Sequence, residues 1–252
     1  MTKLHQIIVM TSDVSQDRVL PGFLWSIDKH WPSHPEITVV GFSRPSGPAT
    51  TLYTPKRAKF HSLGSFSEYP AHRWSDAMML TLDTVTEETF LLLLDDYWLT
   101  RPVDGAGVDI MFAYMEQFRN VLKFDVARDR LYADPGGYVY DFNTYNHAGH
   151  LDLIKSKPGT PYHMSLWGGI WRRDLMREFL VPGETAQQIE LNGTARVSQA
   201  GDSVLILGSR QGPLLHGNIL QGGKSGPVFA DGGWKIDEGS IGAMEELGIL
   251  PQ

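Results

Sequence analysis

The sequence predicts an α/β protein: a Rossmann-type, mostly parallel sheet flanked by helices, followed by an irregular, loop-rich second half. Three observations carry this. Strand-length apolar runs alternate with helical spacings through the first 122 residues. The unbroken run Phe90-Leu91-Leu92-Leu93-Leu94 reads as a strand covered on both faces, as strands of parallel sheets are. Residues 132–163 are rich in Gly, Pro, Tyr, Asn and His and read as functional loops rather than a packed layer.

The elements follow in order. Ile7 to Met10 is a short strand that ends in the polar loop Thr11-Ser12-Asp13. Val19, Leu20, Phe23, Leu24, Ile27 and Trp31 recur at helical spacing, and Pro32 stops that helix. Ile37 to Phe42 is a β-branched strand closed by Ser43-Arg44-Pro45, and residues 46–54 form a Pro/Gly-containing loop. Ala58 to Leu63 alternates as a third strand. Pro70 precedes a helix with Trp74, Met78, Leu82 and Val85 on one stripe. The strand Thr89 to Leu94 comes next, and Val108, Met111, Phe112, Met115, Phe118 and Leu122 mark another helix. Later helical patterns cover Arg172 to Leu180 and Ser198 to Leu207, and the tail from Leu220 is Gly-rich. The strand–helix alternation implies parallel strands joined by crossover helices. The change near residue 130 divides two halves of one domain covering 1–252.

With 252 residues, 42% hydrophobic and 20% charged, the chain can bury a real core. It has no cysteine, which removes thiolate zinc sites, disulfides and cysteine nucleophiles. No segment approaches the roughly 18 apolar residues of a membrane span, and the short Ile7 to Met10 stretch is no signal-peptide core, so a cytoplasmic location is expected. A net charge of −7 gives no overall drive toward DNA, so a nucleic-acid partner is not favoured.

The chemistry centres on Asp95 and Asp96, which end the apolar strand. Ligands of open α/β sheets bind at the carboxyl ends of strands. Adjacent carboxylates repel unless a positive charge sits between them, and a divalent cation that also holds a phosphate answers that need. A metal-dependent site for a phosphorylated substrate, a nucleotide sugar, is therefore expected. Mg²⁺ or Mn²⁺ suits such oxygen ligands. A strand-terminal Asp that merely caps a turn is the plain alternative.

Here the sequence resembles the GT-A class of glycosyltransferases, in its small bacterial and phage-type members. Leu91-Leu92-Leu93-Leu94-Asp95-Asp96-Tyr97-Trp98-Leu99 resembles the acidic metal motif of that class, although the usual spacing is Asp-any-Asp. The stretch Phe23 to Pro32 resembles its first helix, Trp74-Ser75-Asp76 its helix before the motif, and Ser165 to Arg173 its acceptor segment. The resemblance runs from about residue 5 to 224, in the order of its motifs.

The resemblance implies a nucleotide-sugar-binding half at 1–130 and an acceptor-binding half with a carboxyl-terminal segment at 131–252. Thr11 and Asp13 would lie by the base and ribose, and Asp76 would reach ribose or donor sugar. Asp96 is the first candidate metal ligand, with Asp95 beside it and His216 completing the set. Lys224, on the glycine turn Gly222-Gly223, and Arg172 would meet the diphosphate. Glu190 and Asp202 are the candidate bases for an acceptor hydroxyl. His147 and His150 would be loop residues contacting acceptor. The implied activity is transfer of a hexosyl or pentosyl group from a nucleoside-diphosphate sugar to a hydroxyl acceptor, either a glycan precursor or a hydroxylated phage DNA base. A non-catalytic nucleotide- or sugar-binding protein on the same fold is the alternative.

Overall fold

A computed structural model describes residues 4–13, 16–44, 57–65, 67–68, 73–127, 141, 143–221, 224–229 and 238–249, without the side chains of 218, 220, 221 and 224–229. The expected loop at 46–54 and Pro70 lie outside the described residues.

The amino-terminal half follows its hydrophobic pattern. Strands β1 (Ile7–Met10), β2 (Ile37–Gly41), β3 (Ala58–Ser62) and β4 (Thr89–Leu94) alternate with helices α1 (Gln16–His30) and α2 (Trp74–Thr84). The four strands are parallel in the order β3-β2-β1-β4. Phe90 to Leu93 are at most 1% exposed, as a strand covered on both faces requires. Burying each such side chain contributes roughly 1.5–3 kcal/mol. After the acid pair, the short β5 (Tyr97–Leu99) turns away from the sheet. Its Trp98 ring lies against Gly22 of α1, where a Cβ would come within 2.2 Å, and its indole donates to the Val19 carbonyl at 3.0 Å.

After residue 100 the structure departs from the sequence pattern in four places. The helix expected over 108–122 is α3 (Gly105–Gln117), and Leu122 belongs to a strand, β6 (Val121–Asp125). Within 132–163 there is a hairpin, β7 (Asn146–Ala148) and β8 (Leu151–Lys155), turning at Gly149 with φ +54°. Arg172 closes a strand, β9 (Gly169–Arg172), before α4 (Arg173–Phe179). The helix expected at 198–207 is α5 (Ala186–Ala200), with Leu205 to Leu207 in β10 (Leu205–Ser209). For Leu122, Arg172 and Leu205 to Leu207, packing against the sheet overrode a run whose periodicity also fitted a helix, whereas the hairpin forms in a stretch read as loop.

These strands extend the sheet to nine, ordered β3-β2-β1-β4-β9-β6-β10-β8-β7. β9 is antiparallel to both β4 and β6, so β6 and the parallel β10 run in the same direction as β1 and β4. A second sheet of β5, β11 (His216–Gln221) and β12 (Lys224–Phe229) stands beside the acid turn, and α6 (Glu238–Glu246) follows. One face of the large sheet packs on α1, α3 and α6 through residues such as Leu91, Leu93 and Phe124. The other packs on α2, α4 and α5 through Leu92, Leu122, Trp171 and Ile206. Among the described residues, no helix is long and apolar enough to cross a membrane.

Candidate active site

The acid pair sits at the carboxyl ends of the central parallel strands. Met10 of β1 is in register with Leu94 of β4, which brings the next residues, Thr11 and Asp95, side by side. The Thr11 hydroxyl donates to Asp95 Oδ2 at 2.5 Å, and the Asp95 amide donates to the Met10 carbonyl at 3.2 Å. Asp96 takes the second place of the turn, its carbonyl accepting the Ile219 amide of β11 at 2.9 Å. A cavity of about 160 Å³ opens here, lined by Met10 to Ser12, Trp74 and Leu94 to Asp96.

Burial pushes the Asp96 carboxyl up to about 6, with its own backbone amide pulling the other way. Among the described residues no cationic group offsets that burial, and such a carboxylate favours an added positive charge. Among the described residues, no three His, Asp or Glu side chains gather into a metal-binding group. The pair therefore fits a divalent cation only as two ligands, with a phosphate-bearing substrate supplying others.

The other expected site residues divide by position. Thr11 reaches the pair, as described. Asp13 lies at the same edge, where its carboxylate accepts from the Ser43 amide (3.0 Å) and hydroxyl (2.6 Å) and ties the loop after β1 to the loop after β2. Asp76 is engaged by the Arg73 guanidinium at 3.2 Å and the Gly183 amide at 3.0 Å. Burial opposes ionisation there, but those partners outweigh it and leave the pKa below the usual value.

His216, on β11, does not join the acids in a three-ligand group. It is buried and stacks on Tyr97, ring centroids 4.7 Å apart, with Trp167 at 5.5 Å. Lys224 opens β12, and its side chain lies outside the described residues.

Glu190, on α5, accepts the Leu166 amide at 2.8 Å and so faces the segment that leads to Trp167. Asp202 precedes β10, at the edge of the sheet opposite the acid pair, and is 80% exposed with Lys155 as its partner. Arg172 is likewise far from the acids. It pairs in register with Thr89 at the start of β4, about 17 Å of strand away. Its guanidinium bonds Glu88 and the carbonyls of Met115, Phe118 and Val121. The chain direction around β9 explains this: an antiparallel strand carries its last residue away from the ligand edge. His150 meets Asp104 at 2.5 Å and His147 meets Asp152 at 2.9 Å, both around the β7–β8 hairpin.

Two arrangements were not read from the sequence, although it assigned His216 as a metal ligand and Tyr97 as a wall of the site. Tyr97, Trp167 and His216 form an aromatic cluster adjoining Asp96, brought together from three separate segments. Trp74 forms a wall of the cavity. The run of aromatics around the acidic motif was the available signal.

No protein-family model matches this sequence, and no curated protein sequence matches it. Solved structures do. The fold is similar to that of TarS 1–349 from S. aureus, with a TM-score of 0.51 and 14% identity, covering 81% of this chain and 57% of that one. The same TarS segment in complex with UDP gives a TM-score of 0.50 at 13% identity, over 81% and 57% of the two chains. UDP-glucose pyrophosphorylase complexed with UDP-glucose gives 0.51 at 9% identity, over 85% of this chain and 93% of that one. The chain thus spans little more than half the length of the TarS segment. Its fold neighbours are GT-A-like glycosyltransferases and nucleotidyltransferases, and the fold is GT-A-like α/β. Identities this low carry the fold and not the reaction.

Proposed function

We propose that the chain is a metal-dependent glycosyltransferase. It would move a hexosyl or pentosyl group from a nucleoside-diphosphate sugar to a hydroxyl of a glycan precursor or of a hydroxylated phage DNA base. The observation that supports this is a half-buried, desolvated Asp96 carboxylate beside the buried Asp95, on a cavity at the carboxyl ends of β1 and β4, with no cationic group of the described residues offsetting its desolvation. Asp96 and Asp95 would hold Mn²⁺ or Mg²⁺, whose charge stabilises a departing diphosphate.

The chain's own residues have separate tasks in this reading. The Thr11 hydroxyl, bonded to Asp95, orients that carboxylate. Ser12 and Asp13, at the same strand end, would border the nucleoside, and Lys224 would meet the diphosphate. The acceptor oxygen bonds to the anomeric carbon while the bond from that carbon to the phosphate oxygen breaks, and the electron pair leaves with the diphosphate. The acceptor proton would pass to Glu190, the candidate base left at the loop-rich wall once Asp202 is set aside.

A non-catalytic nucleotide- or sugar-binding protein is the second reading, favoured by the adjacency of the acids and the engagement of Asp13 and Asp76 elsewhere. A thermal-shift screen of nucleoside diphosphates and their sugars, with and without Mn²⁺, tests both. A ligand at about 100 times its Kd adds about 2.7 kcal/mol to stability, several degrees in Tm. The expected result is a rise that needs nucleotide and metal together, followed by release of nucleoside diphosphate. No rise with any nucleotide removes both readings, and a rise without turnover in the presence of acceptors selects the second.

A further inference from the structure

A charged pair lies where an apolar pair would serve stability as well. Lys123 and Asp125 stand two apart on β6, so their side chains share a face. They form an ion pair with exposures of 0% and 3%. The surroundings on that face are Leu122, Trp171 and Ile206, and Lys123 Nζ lies 5.0 Å from the centroid of the Trp171 ring. Desolvating two charges offsets most of their attraction, so stability alone does not account for the pair.

What the pair touches suggests its use. Lys123 Nζ donates to the Ser165 carbonyl at 2.9 Å. Its aliphatic stem crosses Gly169, where a Cβ would lie 2.4 Å from Lys123 Cε. Ser165 belongs to an irregular strap, residues 164–168, that runs between the sheet and α5. From the α5 side, Thr194 accepts the Met164 amide at 3.1 Å and Glu190 accepts the Leu166 amide at 2.8 Å. Gly193 leaves space there, since a Cβ would meet Met164 Sδ at 2.6 Å. Lys123 holds the same strap from the sheet side.

The contacts continue to the acid turn. Ser165 Oγ accepts the Trp167 amide at 3.3 Å, and the Trp167 ring lies 5.7 Å from Tyr97, the residue after Asp96. We infer that Lys123 and Asp125 are positioning residues: through the Ser165 carbonyl they set the strap, and with it Trp167, as the wall against which the acceptor is held in the proposed transfer. This rests on the glycosyltransferase reading. A fixed carbonyl grip specifies one strap geometry, which a greasy contact between apolar side chains would leave free to slide.

The test replaces the pair by an apolar one, Lys123→Met with Asp125→Leu, so that no buried charge is left alone. The double variant is expected to keep its Tm while the ratio of sugar transfer to donor hydrolysis falls about tenfold, because a loosened wall misplaces the acceptor and not water. Amide exchange at Trp167 and Gly168 rises in parallel. A double variant that keeps the unsubstituted protein's ratio overturns the inference. If the double variant does not fold, Ser165→Ala removes the link to the Trp167 amide and leaves the pair in place; an unchanged ratio there overturns the inference equally. Absence of transfer by the unsubstituted protein with every donor overturns the functional reading instead.

Discussion

The two halves of the molecule hold their functional groups in different ways. In the amino-terminal half, β1 and β4 place Thr11 and Asp95 side by side by strand register, and the backbone ladder does most of the holding. In the carboxyl-terminal half, the strap at 164–168 has no such ladder. Apart from the Gly168 carbonyl, which accepts the Val126 amide, the Met164 and Leu166 amides and the Ser165 carbonyl are met one at a time by Thr194, Glu190 and Lys123. Buried backbone groups must be bonded somewhere, so irregular segments recruit polar side chains that regular strands do not need. The lesson is that a buried polar residue in the second half is first a candidate for holding backbone, and only then for chemistry. Arg172 shows this most plainly, with three backbone carbonyls on one guanidinium.

The strongest way to break the comparison is Asp96→Asn. In the proposed reading the Asp96 carboxylate serves chemistry at a cost to stability, so activity and stability should move in opposite directions. Transfer or donor hydrolysis is expected to fall by about 100-fold or more, as when one electrostatic group is lost from a site. Stability should move as follows. The folded carboxyl keeps its proton up to a pH of about 6, against 3.8 for its ordinary value. The folded state therefore binds more protons between those values, and stability falls as pH rises through that window. Above it the full penalty applies, about 3 kcal/mol. Denaturant melts should show the variant more stable than the original at pH 8 without divalent ions, with the difference gone near pH 4. A difference independent of pH would break the assignment of burial as the cause.

Arg172→Met probes the other half. It should leave the fold's ligand edge untouched while exposing unmet carbonyls beneath α3, costing about 2–3 kcal/mol. Nucleotide-induced thermal shifts should persist at lower Tm. Loss of nucleotide binding in a variant that remains folded would instead return Arg172 to the site.

The smallest structural effect is expected from Glu190→Gln, since the amide oxygen can still accept from Leu166, and the cost should stay below about 1 kcal/mol. If Glu190 takes the acceptor proton, transfer nevertheless falls by about 100-fold or more. Asp202→Asn serves as its control and should change neither quantity, being exposed at the opposite edge of the sheet. Unchanged transfer in Glu190→Gln would make Glu190 a strap holder alone.

Legibility in the sequence follows the same division. β1, β2, β4 and the helices between them were readable because a strand covered on both faces is a continuous apolar run and a helix on its face has its own period. β6 was not, because Lys123 and Asp125 interrupt Val121-Leu122-Lys123-Phe124-Asp125, and their burial together is visible only once they face each other. β10 was hidden because Leu205-Ile206-Leu207 continues a helical pattern equally well. The acids were legible from their place at a strand end. The partners that take up Asp13 and Asp76, namely Ser43, Arg73 and Gly183, were not, since two of them come from distant turns.

Local pattern by itself determined the α/β class, the parallel amino-terminal strands and the position of Asp95 and Asp96 at a strand tip, because these depend on side-chain period and on the chain's immediate neighbours. Tertiary structure alone decided that β9 runs antiparallel. That single reversal carries Arg172 to the far edge and Trp167 to the near one. Strand direction is settled by which neighbours complete the sheet's hydrogen bonds, and those neighbours are β4 and β6, far apart in the chain.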